Sequence, residues 1–379
     1  MSLDADEIAA VTESVRRFAE TELAPGSLEW DRDKHFPVDV IHRAGDLGLG
    51  GICVAEDHGG AGLDREMSVR IFEELAQGDT AIAAYISIHN MVTSMVDKYA
   101  SPELRREWVP RMAALEALGS YCLTEPDAGS DAAAIRTTAK RDGDDYVLDG
   151  VKQFISGAGS SDVYVVIART GDIGPRGISA FLVPADADGL TFGPNEHKMG
   201  WNAQPTRQVI LDRVRVPAGH LLGSEGQGFS IAMNALNGGR LNIAACSLGG
   251  AQWALDRAVE HLRSREAFGA PLIQQQGLVF RLADMATELE AARCLLHRAA
   301  GALDSDAPDK VKLCAMAKRF VTDVSFDAAN AALQLHGGYG YLAEYGIEKV
   351  VRDLRVHQIL EGTNEIMRVI VGRALVDAA

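Results

Sequence analysis

Apolar residues recur at helical spacing through both ends of this chain and crowd into short β-branched runs in its middle. Near the N-terminus, Ile8, Val11, Val15 and Phe18 fall on one helical face, and Pro25 closes the segment. A second helix is predicted near Val38 to Leu47. The glycine-rich string Glu56–Gly62 then breaks the pattern. Helices resume over Met67–Gln77, Thr80–Tyr99 and Pro102–Leu115. Near Gly119 the period changes. Tyr146-Val147-Leu148 follows the turn Asp142-Gly143, and Val163–Ile167, Ile178–Val183 and Gln208–Val216 are further strands bounded by Gly or Pro. No helical pattern separates them, which predicts an antiparallel barrel or sandwich.

Long helices return after Leu222. One covers Phe229–Arg263. A second carries the stripe Leu278, Leu282, Met285, Leu289 and Leu296. A third opens at Pro308 and stops at Gly337-Gly338, and a fourth covers Gly362–Val376. Four such helices predict a bundle. The expected fold is α+β, mainly α: a helical domain over 1–119, an antiparallel β-barrel domain over 120–222 and a four-helix bundle over 223–379.

The chain has 379 residues, 47% of them hydrophobic, enough for two or three domains. A net charge of −16 argues against nucleic acid or an anionic membrane as a main partner. An anionic ligand would need local arginines. No apolar stretch is long enough to span a bilayer, and the acidic N-terminal string lacks the features of a targeting peptide, so cytoplasm is expected. Cys53, Cys122, Cys246, Cys294 and Cys314 are odd in number and show no CxxC spacing. Neither a disulfide framework nor a metal site is predicted.

Several strings carry candidate chemistry. Glu361 follows the apolar pair Ile359-Leu360 and precedes Gly362, Thr363 and Asn364. An apolar approach raises a carboxyl's pKa toward that of a useful base, Gly362 allows close backbone approach, and Thr363 begins a helix whose N–H groups suit polar ligands. An acidic residue that simply suits a helix N-terminus explains the same string. The loop Tyr121–Asp131 reads as a phosphate or heteroaromatic cradle, or as a plain turn. Phe154–Gly159 is glycine-rich but is followed by a strand, so it is no dinucleotide fingerprint. Asn237-Gly238-Gly239-Arg240 places two glycines inside a helix, at about 1 kcal/mol each relative to Ala. Either a neighbouring helix or a ligand must approach there, and Arg240 could meet an anion. Arg263, Arg265, Phe268, Gly269 and Gln276 mark a helix end, and so does Gln334–Gly340.

Together these strings resemble the acyl-CoA dehydrogenase family across essentially the whole chain. The motifs are TEPDAGSD at Thr124–Asp131, FISGAG at Phe154–Gly159, SREAFG at Ser264–Gly269, LQLHGGYGY at Leu333–Tyr341 and RVHQILEGTNEIMR at Arg355–Arg368. The segments Gly200–Thr206, Ser224–Phe229, Leu236–Arg240 and Val356–Gly362 resemble the isobutyryl-CoA branch of that family.

The resemblance implies FAD and an acyl-CoA thioester as cofactor and substrate. Glu361 would remove the α-proton while a hydride leaves the β-carbon for the flavin. Its own backbone N–H and a ribityl hydroxyl would hold the thioester oxygen, at ~3–4 kcal/mol per donor. Tyr121, Cys122, Leu123, Thr124, Gly129 and Ser130 would line the flavin, with Phe154, Ile155 and Ser156 on its other side. Arg265, Phe268 and Gln276, with Gln334, Leu335, His336, Gly337 and Gly338, would reach the adenine half of FAD on a neighbouring subunit. Thr363, Asn364 and Glu365 would also meet FAD. Ser130, Asn237, Arg240, Gly362 and Arg373 match substrate-binding positions. Many relatives have Trp, Thr and Asp where this chain has Phe154, Ser156 and Asn237, which implies a shifted flavin environment and an altered CoA contact. In the isovaleryl-CoA branch the base stands at position 239, which here is glycine. A homotetramer and an electron-transferring flavoprotein as acceptor are implied too. An acyl-CoA oxidase, a straight-chain butyryl-CoA dehydrogenase and a non-catalytic CoA- or FAD-binding scaffold stand as alternatives.

Overall fold

The computed structural model describes residues 3–377. Six helices come first: α1 (Ala5–Phe18), α2 (Ser27–Asp33), α3 (Val38–Ala44), α4 (Arg65–Gly78), α5 (Thr80–Tyr99) and α6 (Pro102–Ala113). Their starts are written locally. Asp4 accepts from the N–H groups of Asp6 and Glu7 while Glu7 accepts from the N–H of Asp4, a complete capping box. Asp79 caps α5, and Ser101 with Pro102 opens α6.

The middle of the chain folds as β1 (Gly119–Cys122), β2 (Thr138–Asp142), β3 (Asp145–Ser156), β4 (Val163–Arg169), β5 (Ile178–Pro184), β6 (Leu190–Phe192), β7 (Thr206–Pro217) and β8 (Leu221–Leu222). The sheet is mixed, not wholly antiparallel as expected. Its hydrogen-bonded order is β6-β7-β3-β2-β4-β5-β8, and β1 joins β4 in parallel, Gly119 opposite Val163 through Cys122 opposite Val166. The reason is the entry route. The chain arrives from α6 and lays β1 beside β4 on the side where β2 touches β4 only at Thr138–Arg169. The end strands β6 and β8 do not pair with each other among the described residues, so the barrel is not closed by hydrogen bonds.

The last third holds α7 (Gly228–Ser264), a small hairpin of β9 (Glu266–Ala267) and β10 (Ala270–Pro271), then α8 (Gln276–Asp304), α9 (Lys310–Leu335), α10 (Ile347–His357) and α11 (Asn364–Val376). The helix α10 supplements the four that periodicity predicts. Its buried face includes Lys349, Asp353 and His357, so the sequence there reads as polar. The axis of the molecule is α7, lined with small residues. A Cβ at Gly249 would sit 2.0 Å from the carbonyl of Glu73, so α4 rests directly against it. One core joins the N- and C-terminal helices, a second lies between α5, α6, α7 and the sheet, and a third fills the β domain.

A buried polar chain ties the three regions together. Lys349 donates to Asp79 at 3.0 Å and to Asp353 at 2.8 Å. Asp353 accepts from the Trp201 N–H at 2.5 Å, and the Trp201 indole donates to His357 at 3.2 Å. Burial pushes the Lys349 ammonium down, but the two carboxylates outweigh it and the net shift is upward. Burial pushes His357 down to about 3, so it is neutral. Since its Nε2 accepts from the indole, its Nδ1 carries the proton and donates to the Ser247 hydroxyl at 2.6 Å.

Candidate active site

The segment Gln358–Thr363 turns the chain from α10 into α11 and carries Glu361. Glu361 has φ +56° and Gly362 φ +88°. A left-handed turn is natural for glycine but costs a residue with a Cβ roughly 1–2 kcal/mol. Two buried cations hold it: Arg240 from α7 donates to the Glu361 carbonyl at 3.3 Å, and Lys318 from α9 donates to the Gly362 carbonyl at 2.8 Å. Thr363 caps α11 by accepting from the Ile366 N–H.

The carboxyl group points at α7, where the helix has no side chain. A Cβ at position 239 would lie 2.6 Å from Glu361 Oε2. The glycine pair in α7 is thus explained by close approach, of Glu361 at Gly239 and of Arg65 at Gly238. Oε2 is sealed from solvent and has no hydrogen-bond partner among the described residues. Burial pushes the carboxyl up to about 7, against the pull of Arg240 and Lys318. Arg240 is buried and oriented by Asn237, whose Oδ1 accepts from it at 2.9 Å. A cleft runs past Gly239, lined also by Met91, Met95, Tyr99, Arg65 and Lys98.

Lys318 escaped sequence reasoning. Its one signal was its place on the face of α9 that carries Cys314, Ala317 and Val321. Asn364 is spent internally: it accepts from Lys318 at 2.9 Å and donates to Thr322 and Asp323 at 3.0 and 2.7 Å. Its side chain supports the turn and has no donor left for a ligand.

A second wall comes from the sheet. The Gln153 N–H donates to the Thr124 carbonyl at 2.8 Å, which places the loop after β1 beside the end of β3. Lys152 and Glu125 bury an ion pair of 2.7 Å between them, and Glu125 also accepts from the N–H groups of Arg136 and Thr137. Phe154 has φ +59°, which breaks the pleat and leaves the ring 62% exposed while Gln153 and Ile155 are buried. The side chains of Cys122 and Ile155 pack into the β-domain core, so only their backbone can meet a ligand. Leu123, Thr124 and Ser156 are half-buried, Gly129 and Ser130 exposed, and a Cβ at Gly129 would meet open space. The Tyr121 hydroxyl is buried without a partner among the described residues, and burial together with Glu361 holds its pKa well above the usual phenol value. An exposed aromatic face, a loop fixed beside it and an unpartnered phenol next to a carboxyl fit a flat heteroaromatic cofactor.

A third cluster gathers elsewhere. His336 stacks on His261 at 4.6 Å, and the Arg265 guanidinium lies 5.5 Å over the Tyr339 ring. Arg265 thus comes beside Gln334–Gly338. Leu335 is core, while Gln334, Gly337 and Gly338 are exposed. Phe268, at the hairpin tip, is 96% exposed, and Gln276 is exposed at the start of α8. On α11, Glu365 and Arg373 are exposed, and no hydrogen bond joins either to Arg240 or Glu361 among the described residues. One chain therefore unites Tyr121, Asn237, Arg240 and Glu361–Asn364, but not the third cluster with them.

Residues 5–116, 120–214 and 226–376 match the N-terminal, middle and C-terminal domains of acyl-CoA dehydrogenase. The chain is 51% identical over 359 residues to the mitochondrial isobutyryl-CoA dehydrogenase of Dictyostelium discoideum, covering 94% of this chain and 86% of that protein. It superposes with a TM-score of 0.95 on butyryl-CoA dehydrogenase from Megasphaera elsdenii, 36% identical, covering 99% of this chain and all of that one. The glutaryl-CoA dehydrogenase of Mycobacterium smegmatis in complex with FADH2 gives a TM-score of 0.92 at 32% identity, covering 98% and 95% of the two chains. With three matched domains in order and a half-identical relative along nearly its whole length, the chain belongs to the acyl-CoA dehydrogenase family of FAD-dependent oxidoreductases.

Proposed function

We propose that this enzyme introduces an α,β double bond into a short branched acyl-CoA of the isobutyryl type, with Glu361 as the base. One observation carries the assignment of the base: a carboxyl whose Oε2 is sealed from solvent and without a hydrogen-bond partner among the described residues, on a turn whose backbone is held by two buried cations. Similarity to the Dictyostelium relative supports the branched substrate.

A thioester α-proton is too weakly acidic for a carboxylate to remove unaided, so the charge that develops on the thioester oxygen must be held. Glu361 takes the proton on its side chain, while its own N–H is available to that oxygen. Arg240 and Lys318 place positive charge behind the turn, and exclusion of water strengthens every such interaction. FAD, when bound, supplies the hydride acceptor. Tyr121–Thr124, Gly129 and Ser130 would hold one side of its ring system and Phe154–Ser156 the other. Arg265, Phe268, Gln276 and Gln334–Gly338 would serve the adenine half of a neighbouring subunit's FAD. Their separation from Glu361 within one chain supports a homotetramer, since a shared site needs a partner copy. Electrons would leave to an electron-transferring flavoprotein.

A steady-state panel of straight and branched C4 to C8 acyl-CoAs tests the substrate. Isobutyryl-CoA should give the highest kcat/KM, whereas preference for butyryl- or octanoyl-CoA would refute the branched assignment. Rapid peroxide formation when reduced enzyme meets air would make it an oxidase.

A further inference from the structure

Lys318 is fully buried, and among the described residues its Nζ donates only to neutral oxygens, the Gly362 carbonyl and Asn364 Oδ1. No carboxylate pairs with it within ion-pair distance among the described residues. The nearby Asp323 is engaged instead by Gln358 and Asn364 at 2.8 and 2.7 Å. A buried ammonium without a counter-ion is costly and normally loses its proton or finds a partner. Lys349 shows the ordinary solution in the same protein, with two carboxylates on one ammonium. The one carboxyl of the active site, Glu361, lies on the turn that Lys318 grips.

We propose that Lys318 is a positioning residue for Glu361: its hydrogen bond to the Gly362 carbonyl pins the left-handed turn that aims the carboxylate, and its charge keeps that carboxylate ionised in a site where burial favours the acid. This inference rests on Glu361 being the base. The charges that bear on the site come from every element around it. Arg240 on α7 and Lys318 on α9 favour the carboxylate, and the Tyr121 phenol on β1 and the Cys314 thiol on α9 are held neutral by burial. Asp323 on α9 and Glu365 on α11 act on Lys318 and favour its charged form. Met91 of α5 faces the carboxyl without charge. Burial lowers Lys318 itself to about 7, with Glu361 opposing the fall, so the two groups titrate as a coupled pair.

The sign follows. The ionised carboxylate is the form that accepts a proton, and a neighbouring cation stabilises that form. Removing the charge raises the pH at which Glu361 ionises. In holoenzyme, Lys318→Met should therefore move the acid limb of kcat/KM upward by about one pH unit, about tenfold in rate on the acid side. Lys318→Gln keeps a donor for the Gly362 carbonyl but no charge, so it should shift the limb equally and carries the test if the Met variant does not fold. Lys318→Arg should return the limb toward wild type. The protonated-carboxyl infrared band, assigned by its loss in Glu361→Gln, should follow the same order without any turnover. An acid limb and infrared midpoint unmoved in Lys318→Gln would overturn the inference, whatever happens to kcat or Tm. If Glu361→Gln retained turnover, the base itself would be wrongly assigned, which separates the two failures.

Discussion

Lys349 and Glu361 lie on one stretch of chain, and each belongs to a buried charge cluster, yet the two clusters are built on opposite plans. Around Lys349, both carboxylates have all their oxygens engaged. Asp79 accepts from Ser27, the Ile82 N–H and Lys349, and Asp353 accepts from the Trp201 N–H and Lys349. Around Glu361, two cations hold the backbone of one turn, and the carboxyl Oε2 on it has no partner among the described residues. The first cluster is complete and joins three regions of the fold. The second is complete only when something else enters. A filled network is a structural tie, and an unfilled one next to a cleft is a place reserved for chemistry.

Breaking the closed cluster should have the largest effect on stability. Lys349→Met leaves two carboxylates buried together and should lower unfolding free energy by about 3–5 kcal/mol, read by denaturant titration of the holoenzyme. A loss below about 1 kcal/mol would mean the tie is no stronger than a surface pair.

The open cluster should respond in the other currency. Gly239→Ala brings a Cβ to 2.6 Å from Glu361 Oε2, and the flexible carboxyl gives way before the helices do. We expect kcat to fall about a hundredfold, the usual effect of a displacement near one ångström, with stability changed by less than about 1 kcal/mol. Parallel loss of fold and activity would erase the distinction between the clusters.

The smallest effect is expected at the edge of the site. Thr363→Ala removes the cap of α11 and should cost about 1 kcal/mol of stability by thermal unfolding.

Parts of this arrangement were legible in the chain and parts were not. The extent of α5 was legible because no Asp, Glu, Lys or Arg interrupts it before Asp97, with Asp79 before it and Ser101-Pro102 after it. The helix α10 was not, since its inward face holds Lys349 and Asp353, whose counter-charge comes from Asp79, 270 residues away from Lys349. Tyr121 and Cys122, the second half of β1, read in sequence as part of a loop because four residues give no alternation to count, and the strand's parallel pairing depends on the entry from α6. At the site, Gly238-Gly239 announced a close approach, because two glycines inside a helix are a local anomaly. What approached them was invisible until the turn at Glu361 was folded. Lys318 stayed hidden because a single lysine on an otherwise mixed helix reads as surface, and only the packing of α7, α9 and α11 buries it. The residues alone favour a helix cap over a base at Glu361; the family resemblance supplies the role, and the sealed Oε2 supplies a physical reason for it.

The most direct measurement is anaerobic mixing of the Glu361→Gln holoenzyme with isobutyryl-CoA while flavin absorbance is followed. Glutamine keeps the shape of the turn and its backbone N–H but cannot accept the proton. The expected result is a yellow, FAD-loaded protein that bleaches at least ~10³-fold more slowly than wild type, within the range for loss of a general base. Bleaching within about tenfold of the wild-type rate would contradict the assignment of Glu361 as the group that takes the α-proton.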